Sequence, residues 1–191
     1  METQARTRKR AELVDRLIEL FLERGFADLG VADLAKLLRC SKTTLYAVAE
    51  SKEQIITAVV RAFFRRATDR VEARLAEEAD PRLRIETYLR AISTELSAAS
   101  PAFFADLTAF APAREIYRRN TGFAAERVRR LVLDAAPGQD AAFAGAVAGL
   151  VMEAIHRGEI KANTGLDDSA AYAALATLLV AQTGAPTPTP S

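Results

Sequence analysis

Cysteine and histidine are nearly absent from this chain of 191 residues, which contains one of each, Cys40 and His156. A single cysteine excludes an internal disulfide framework and suits a reducing compartment. His156 follows Glu153 by three positions, but two ligands do not make a metal site, so the sequence predicts no metal and no cofactor. Because His156 is the only histidine, a catalytic triad with a histidine base is excluded at any other position.

Long hydrophobic runs and glycine-rich motifs are missing as well. The longest uncharged apolar stretch, residues 141–152, falls well short of the roughly twenty residues that a bilayer span needs. The N-terminus is polar and charged rather than signal-like, so we expect a cytoplasmic protein without membrane association. The sequence has no glycine-rich phosphate loop and no nucleophile elbow, and we therefore expect a protein that is not an enzyme.

Apolar residues at helical spacing are what the sequence has in quantity. Half of its residues are hydrophobic and 27% are charged, which is enough to build a folded core. Apolar side chains recur every three to four residues almost throughout, and no window alternates as a strand does. The sequence therefore predicts an all-α protein of about nine helices.

The first three predicted helices, within residues 8–47, have the lengths of a helix-turn-helix unit. The first ends at Gly25, which suits the left-handed stop of a helix. The second covers residues 31–38, and Ser41 can cap the third. Their common core is predicted to hold Leu17, Phe21, Phe26, Leu34, Leu38 and Leu45.

Side chains beside the inward-pointing Leu45 must face outward at helical spacing. They offer a cation for phosphate or guanine, hydroxyls for phosphate and methyl groups for thymine. Lys52 lies in the first turn of a long fourth helix, which Ser51 and Gln54 can start as a capping box, and that position favours a phosphate. The predicted DNA-binding residues are Arg39, Ser41, Lys42, Thr43, Thr44, Tyr46, Ala47 and Lys52.

Charge is divided unevenly along the chain. Residues 1–74 contain 15 basic and 11 acidic side chains, and the remaining residues contain 11 basic and 14 acidic ones. The positive excess lies with the predicted helix-turn-helix unit, residues 8–47, which we call the reader. Just before and within it, the N-terminal cations could add contacts to the DNA backbone or minor groove; they are Arg6, Arg8, Lys9 and Arg10.

Residues 13–60 resemble the DNA-binding region of the tetracycline-repressor (TetR) family of bacterial regulators. The matching segments are LFLERGF at 20–26, VADLA at 31–35, SKTTLY at 41–46 and SKE at 51–53. The resemblance implies a homodimeric repressor that binds near-palindromic double-stranded DNA and is released by a small hydrophobic effector. The chain departs from the family pattern at Gly30, Arg39, Thr43 and Ala49. A helical sensor or interaction protein of the same fold, with weak or no DNA binding, is therefore kept as the alternative.

The resemblance also implies a division into domains. We expect a helix-turn-helix DNA-binding domain at 1–52 and an effector-binding and dimerisation domain at 53–184. Separately, the prolines of residues 185–191 cannot hold a helix, so we expect a frayed tail there.

Two sets of residues in the second domain are candidates for these roles. Aromatic side chains that could line an effector pocket, or simply form helix core, are Tyr88, Phe103, Phe104, Phe110, Tyr117 and Phe123. The last two helices, predicted at about 139–157 and 168–183, carry small and apolar residues that favour a dimer interface over packing within the chain. These are Gly145, Gly149, Met152, Leu175, Leu178 and Leu179.

Overall fold

The computed structural model describes the backbone of residues 2–135 and 139–183, and the side chains of residues 7–135 and 142–179. These ranges contain ten helices and no strand, which confirms the all-α prediction. The helices are α1 (Glu2–Arg24), α2 (Val31–Leu37), α3 (Lys42–Tyr46), α4 (Lys52–Ala76), α5 (Pro81–Leu96), α6 (Pro101–Ala109), α7 (Ala111–Ala135), α8 (Gln139–His156), α9 (Glu159–Thr164) and α10 (Asp168–Thr183). The predicted tail at 185–191 lies outside the described residues.

Helix α9 lies between the last two predicted helices, in a segment for which the sequence predicts no helix. Gly158 precedes it and Gly165 follows it, and both adopt the left-handed conformation, with φ of 74° and 77°. A helix of six residues is too short to show an amphipathic period, so hydrophobic spacing does not reveal it. The neighbouring α8 and α10 lie where they are predicted.

The helices form two compact units. The first contains residues up to Arg66 together with Ala98–Tyr117, and the second contains Ala67–Ser97 together with the chain from Arg118 onward. The boundary between the units falls within α4, and α6 and the first turns of α7 pack with the N-terminal helices. Residue Ser100, which caps α6, donates its N–H to the carbonyl of Leu22 on α1 at 2.8 Å.

The core of the first unit is the one that the sequence predicts. Its six members, Leu17, Phe21, Phe26, Leu34, Leu38 and Leu45, are all at most 5% exposed. Burying side chains of this size stabilises the fold by about 1.5–3 kcal/mol each. This core fixes the orientation of α3 against α1 and α2.

The second unit packs α5 along α10. Ser93 on α5 and Ser169 on α10 exchange hydrogen bonds, each hydroxyl donating to the other residue's carbonyl at 2.8 and 2.9 Å. On α7, Arg127 donates to both carboxylate oxygens of Glu72 at 3.0 and 2.9 Å. These bonds satisfy polar groups that the close packing of the helices would otherwise leave without partners.

Candidate DNA-binding surface

Helix α3 presents a polar face around one buried residue. Leu45 is fully buried, whereas Lys42, Thr43 and Ala47 are exposed and Tyr46 is 45% exposed. This confirms the prediction that the side chains beside Leu45 face outward.

The start of α3 is fixed by its cap. The Ser41 hydroxyl accepts the N–H of Thr44 at 3.0 Å and lies 2.8 Å from the Thr44 hydroxyl. Capping of this kind is worth about 1 kcal/mol. Ser41 and Thr44 thus have structural roles in the helix start, and their exposed hydroxyls lie at the edge of the surface.

The turn between α2 and α3 uses Arg39 where glycine is preferred. Arg39 has φ of 49°, the only positive φ of a non-glycine residue among those described. The N–H of Cys40 bonds to the carbonyl of Ala35 at 2.9 Å, and the N–H of Arg39 bonds to that of Lys36 at 3.2 Å. These two hydrogen bonds form a Schellman motif. A residue with a Cβ adopts the left-handed position of this motif at a cost of about 1–2 kcal/mol.

Two arginines of α1 bind the C-terminal ends of the helix-turn-helix pair. Arg10 donates to the carbonyls of Ala47 and Val48 at 3.2 and 2.9 Å, at the end of α3. Arg16 donates to the carbonyl of Leu38, at the end of α2. A guanidinium at a helix C-terminus satisfies free carbonyls and complements the helix dipole. Arg10, which the sequence assigns to the DNA-contacting terminus, thus holds the reader in place.

Other basic residues near the surface also have intramolecular partners. The Lys52 ammonium, predicted to meet a phosphate, donates to the carbonyl of Ala27 in the α1–α2 turn at 2.8 Å. Arg8 pairs with Glu12 one turn further along α1 at 3.0 Å. Both side chains would have to exchange these partners for a phosphate.

The first turn of α4 shows half of the predicted capping box. The Ser51 hydroxyl accepts the N–H of Gln54 at 3.2 Å as predicted. The Gln54 amide oxygen accepts from the N–H of Glu50, at 3.1 Å, rather than from that of Ser51. The start of α4 is therefore capped, but the Gln54 side chain reaches back four residues rather than the three of the motif.

Asp106 on α6 holds the turn that leads into α2. Its carboxylate accepts the N–H groups of Phe26 and Ala27 at 2.5 and 2.8 Å. Gly25 lies directly beneath, and a Cβ there would be 2.4 Å from the same carboxylate oxygen. Sequence reasoning missed both Asp106 and Arg16, because nothing local marks a contact between residues 80 or 22 positions apart.

Four of the six predicted effector residues come together in the first unit. Phe103 packs edge-on against Phe26 at 6.1 Å and lies 6.0 Å from Phe104, and Tyr117 lies 6.4 Å from Phe104 between ring centroids. Phe110 packs edge-on against Phe26 at 6.2 Å. These rings form a packed aromatic cluster, in which Phe103 and Tyr117 are buried and Phe104 and Phe110 are partly exposed. The other two belong to the second unit, where Tyr88 is buried and Phe123 is 71% exposed.

Most of the residues predicted for a dimer interface are buried against other helices of the same chain. Met152, Leu175 and Leu179 are at most 5% exposed. A Cβ at Gly145 would lie 2.7 Å from Cγ and 3.0 Å from Cα of Arg129 on α7, so the small residues serve a close approach of α7 and α8 within one chain. Gly149 faces Ala125 of α7, where an added Cβ would lie at an ordinary contact distance of 3.6 Å.

Exposure separates the six predicted interface residues. Only Leu178 of the six is strongly exposed, at 66%, and the other exposed large apolar side chains of α7 and α8 are Phe123, Phe143 and Leu150. Helical period alone does not tell which face of an apolar helix its own chain covers.

The described part of the chain shows no group of three histidine, cysteine or acidic side chains placed to hold a metal ion. None of its helices has both the length and the hydrophobicity needed to span a bilayer.

The first unit thus defines an all-helical protein of the helix-turn-helix class. Residues 13–59 match the sequence model of bacterial regulatory proteins of the tetR family. No curated protein matches the chain in sequence.

Solved structures of transcriptional and metabolic regulators share the fold along nearly the whole chain. A TetR/AcrR-family regulator from Thermobifida fusca YX-ER1 is 21% identical with a TM-score of 0.61, over 90% of this chain and 96% of that one. The fatty acid degradation regulator FadR from Bacillus halodurans is 14% identical with a TM-score of 0.63, over 90% and 94%. RolR in complex with resorcinol is 20% identical with a TM-score of 0.56, over 97% and 98%. The likeness therefore extends through the C-terminal helices.

Proposed function

We propose that the protein is a transcriptional repressor that binds a near-palindromic operator as a homodimer and is released by a small hydrophobic effector. The observation that carries the proposal is the exposed face of α3, where Lys42, Thr43 and Tyr46 surround the buried Leu45. Lys42 forms no hydrogen bond or ion pair with any other described residue, so its ammonium is available to a phosphate or a guanine. A short helix held in this way fits the major groove.

DNA binding is tested by fluorescence anisotropy with a duplex taken from the region upstream of the protein's own gene and a scrambled duplex of equal composition. We expect tighter binding to the upstream duplex. Replacing Lys42 by alanine should weaken binding and reduce the slope of log K against log salt by about one. The control is Lys161→Ala, which removes an exposed lysine of α9 and should change neither quantity.

Unchanged affinity and salt dependence in the Lys42 variant would contradict the role of α3. It would favour the alternative, a sensor or interaction protein with the same fold.

The homodimer is supported by apolar side chains that the second unit leaves in solvent. Phe143 and Leu150 on α8 and Leu178 on α10 are each at least 66% exposed. Large exposed apolar side chains on adjacent helices mark interaction surfaces more often than free surface. A two-fold dimer through this surface would place two α3 helices on one operator.

Sedimentation velocity tests the dimer. The variants Leu150→Glu and Leu178→Glu should yield monomers, because each buries a charge in the proposed interface. Leu83→Glu, at an exposed leucine of α5 (45% exposed), is the matched control and should remain dimeric. A wild-type monomer at tens of micromolar, or dimers in all three variants, would contradict this interface.

An effector site at the partly exposed edge of the aromatic cluster, next to Phe104, would couple a ligand to the reader. The same helix α6 carries Phe103 and Phe104 of the cluster and also Asp106, which holds the N–H groups of Phe26 and Ala27. A ligand that moves α6 would therefore disturb the turn before α2, and ligand and DNA would weaken each other's binding.

Small aromatic compounds, beginning with resorcinol because RolR binds it, are the first probes. We expect one of them to release the upstream duplex, and Phe104→Ala to raise the concentration needed by about tenfold without changing DNA affinity in its absence. Release that is equally sensitive in the Phe104 variant would exclude this site.

A further inference from the structure

We propose that the groove between α1 and α4 binds a small anionic amphiphile, that is, a molecule with a negatively charged head on a short apolar body. The groove lies within the first unit and has a volume of about 630 Å³. This volume is within the range of small-molecule sites. It is distinct from the aromatic cluster and from the face of α3.

Arginine dominates the rim of the groove. Four of its nine lining residues are arginines, Arg10, Arg61, Arg65 and Arg66, and none is acidic. Guanidinium groups brought together in this way repel one another, and an anion between them relieves the repulsion. The planar guanidinium also matches carboxylate and phosphate groups with two parallel hydrogen bonds.

Two of the four arginines have their guanidinium groups available. Arg10 is bonded to the carbonyls at the end of α3, and Arg66 forms an ion pair with Asp15. Arg61 and Arg65 are exposed and form no hydrogen bond or ion pair with another described residue. They stand one turn apart on the same face of α4, so both can reach one head group.

The floor of the groove is apolar. It is formed by Ala11 and Val14 of α1 and by Ala58 and Ala62 of α4. These side chains offer only methyl groups, which bind a hydrated inorganic ion poorly but gain from contact with a hydrocarbon chain or ring. The pairing of this floor with the arginine rim is the reason for assigning an amphiphile rather than a free anion. The head group can be a carboxylate or a phosphate ester, since both satisfy the same arginines.

Isothermal titration of the full-length protein, without DNA, tests the proposal. The probes are octyl phosphate and octanoate below their micellar concentrations, inorganic phosphate as a head without a body, and octan-1-ol as a body without a head. We expect saturable binding of at least one of the two amphiphiles, and binding at least about tenfold weaker for phosphate and for octanol. The stronger of the two amphiphiles identifies the head group. Because DNA is absent, the result is independent of the proposed regulatory function.

Variants place the binding in this groove. The double variant Arg61→Gln/Arg65→Gln should weaken amphiphile binding by about tenfold or more while keeping the melting temperature of the wild type. Arg74→Gln, at another exposed arginine of α4 outside the groove, is the control and should bind as the wild type does.

Equal binding by the double variant, or phosphate binding as tight as that of octyl phosphate, would overturn the proposal. So would an absence of binding by both amphiphiles. If the double variant instead lowers only DNA affinity, the arginines contact the DNA backbone and the groove is not a ligand site.

Discussion

Arg10 of α1 donates a hydrogen bond of 2.9 Å to the carbonyl of Val48, 38 residues further along the chain. The same guanidinium reaches the carbonyl of Ala47, so one side chain closes the end of α3 against α1. Arg16 does the same for α2 through the carbonyl of Leu38. The orientation of the reader thus depends on two cations of α1 as well as on its apolar core.

Replacing Arg10 by glutamine should therefore destabilise the protein by about 1–3 kcal/mol, because carbonyls lose a charged donor. For a chain of this size, we expect the melting temperature to fall by about 2–4 °C per kcal/mol. Arg8→Gln is the control, since it removes only an exposed pair one turn apart on α1, worth about 0.3–0.5 kcal/mol. Equal melting temperatures for the two variants would show that the bonds of Arg10 contribute nothing to stability.

Arg39→Gly should stabilise the protein, because glycine adopts the left-handed conformation of the α2–α3 turn without strain. We expect a gain of about 0.5–1 kcal/mol in the free energy of unfolding, measured by urea denaturation. Lys36→Gly, three residues earlier within α2, should lose about 1 kcal/mol. A loss of stability in Arg39→Gly would mean that the arginine side chain makes a compensating contact. If the guanidinium also meets a phosphate, the stabilised variant will bind operator more weakly.

Asp106→Ala should leave the N–H groups of Phe26 and Ala27 without their acceptor. The expected loss is about 1–3 kcal/mol in the free energy of unfolding, and amide hydrogen exchange at these two positions should become faster. Asp69→Ala removes an exposed carboxylate of α4 and should leave both quantities unchanged. Unaltered exchange at Phe26 in the Asp106 variant would refute the role of Asp106 in the turn.

Gly145→Ala and Gly122→Ala should change stability in opposite directions. At Gly145 a methyl group meets the backbone and side chain of Arg129, so we expect a loss of about 1–3 kcal/mol. At Gly122, within α7, nothing lies within 4 Å of the added Cβ, and alanine should gain about 0.5–1 kcal/mol. Thermal unfolding of both variants decides the matter. A stabilised Gly145→Ala variant would show that α7 and α8 are not in close contact there.

Much of the first unit could be predicted from the sequence because its signals are local. Gly25 and Ser41 mark helix ends through their own backbone and side-chain chemistry. The inward position of Leu45, which turns its neighbours outward, follows from the spacing of apolar residues. The same reasoning did not reveal that Gly145 packs against Arg129 of its own chain, because an apolar helix such as α8 shows no polar face to mark the side that the chain covers.

The sequence by itself determined the helices other than α9, the residues of the N-terminal core and the match of residues 13–59 to the tetR-family model. The tertiary structure alone decided that Arg10 and Arg16 close the reader, that Asp106 holds its entry turn and that Arg61 and Arg65 line a groove. The physical reason is range. A helix cap or an apolar stripe depends on residues within one turn or one helix, so the sequence reveals it. A contact between distant residues depends on the angle at which their helices pack, which the sequence does not reveal.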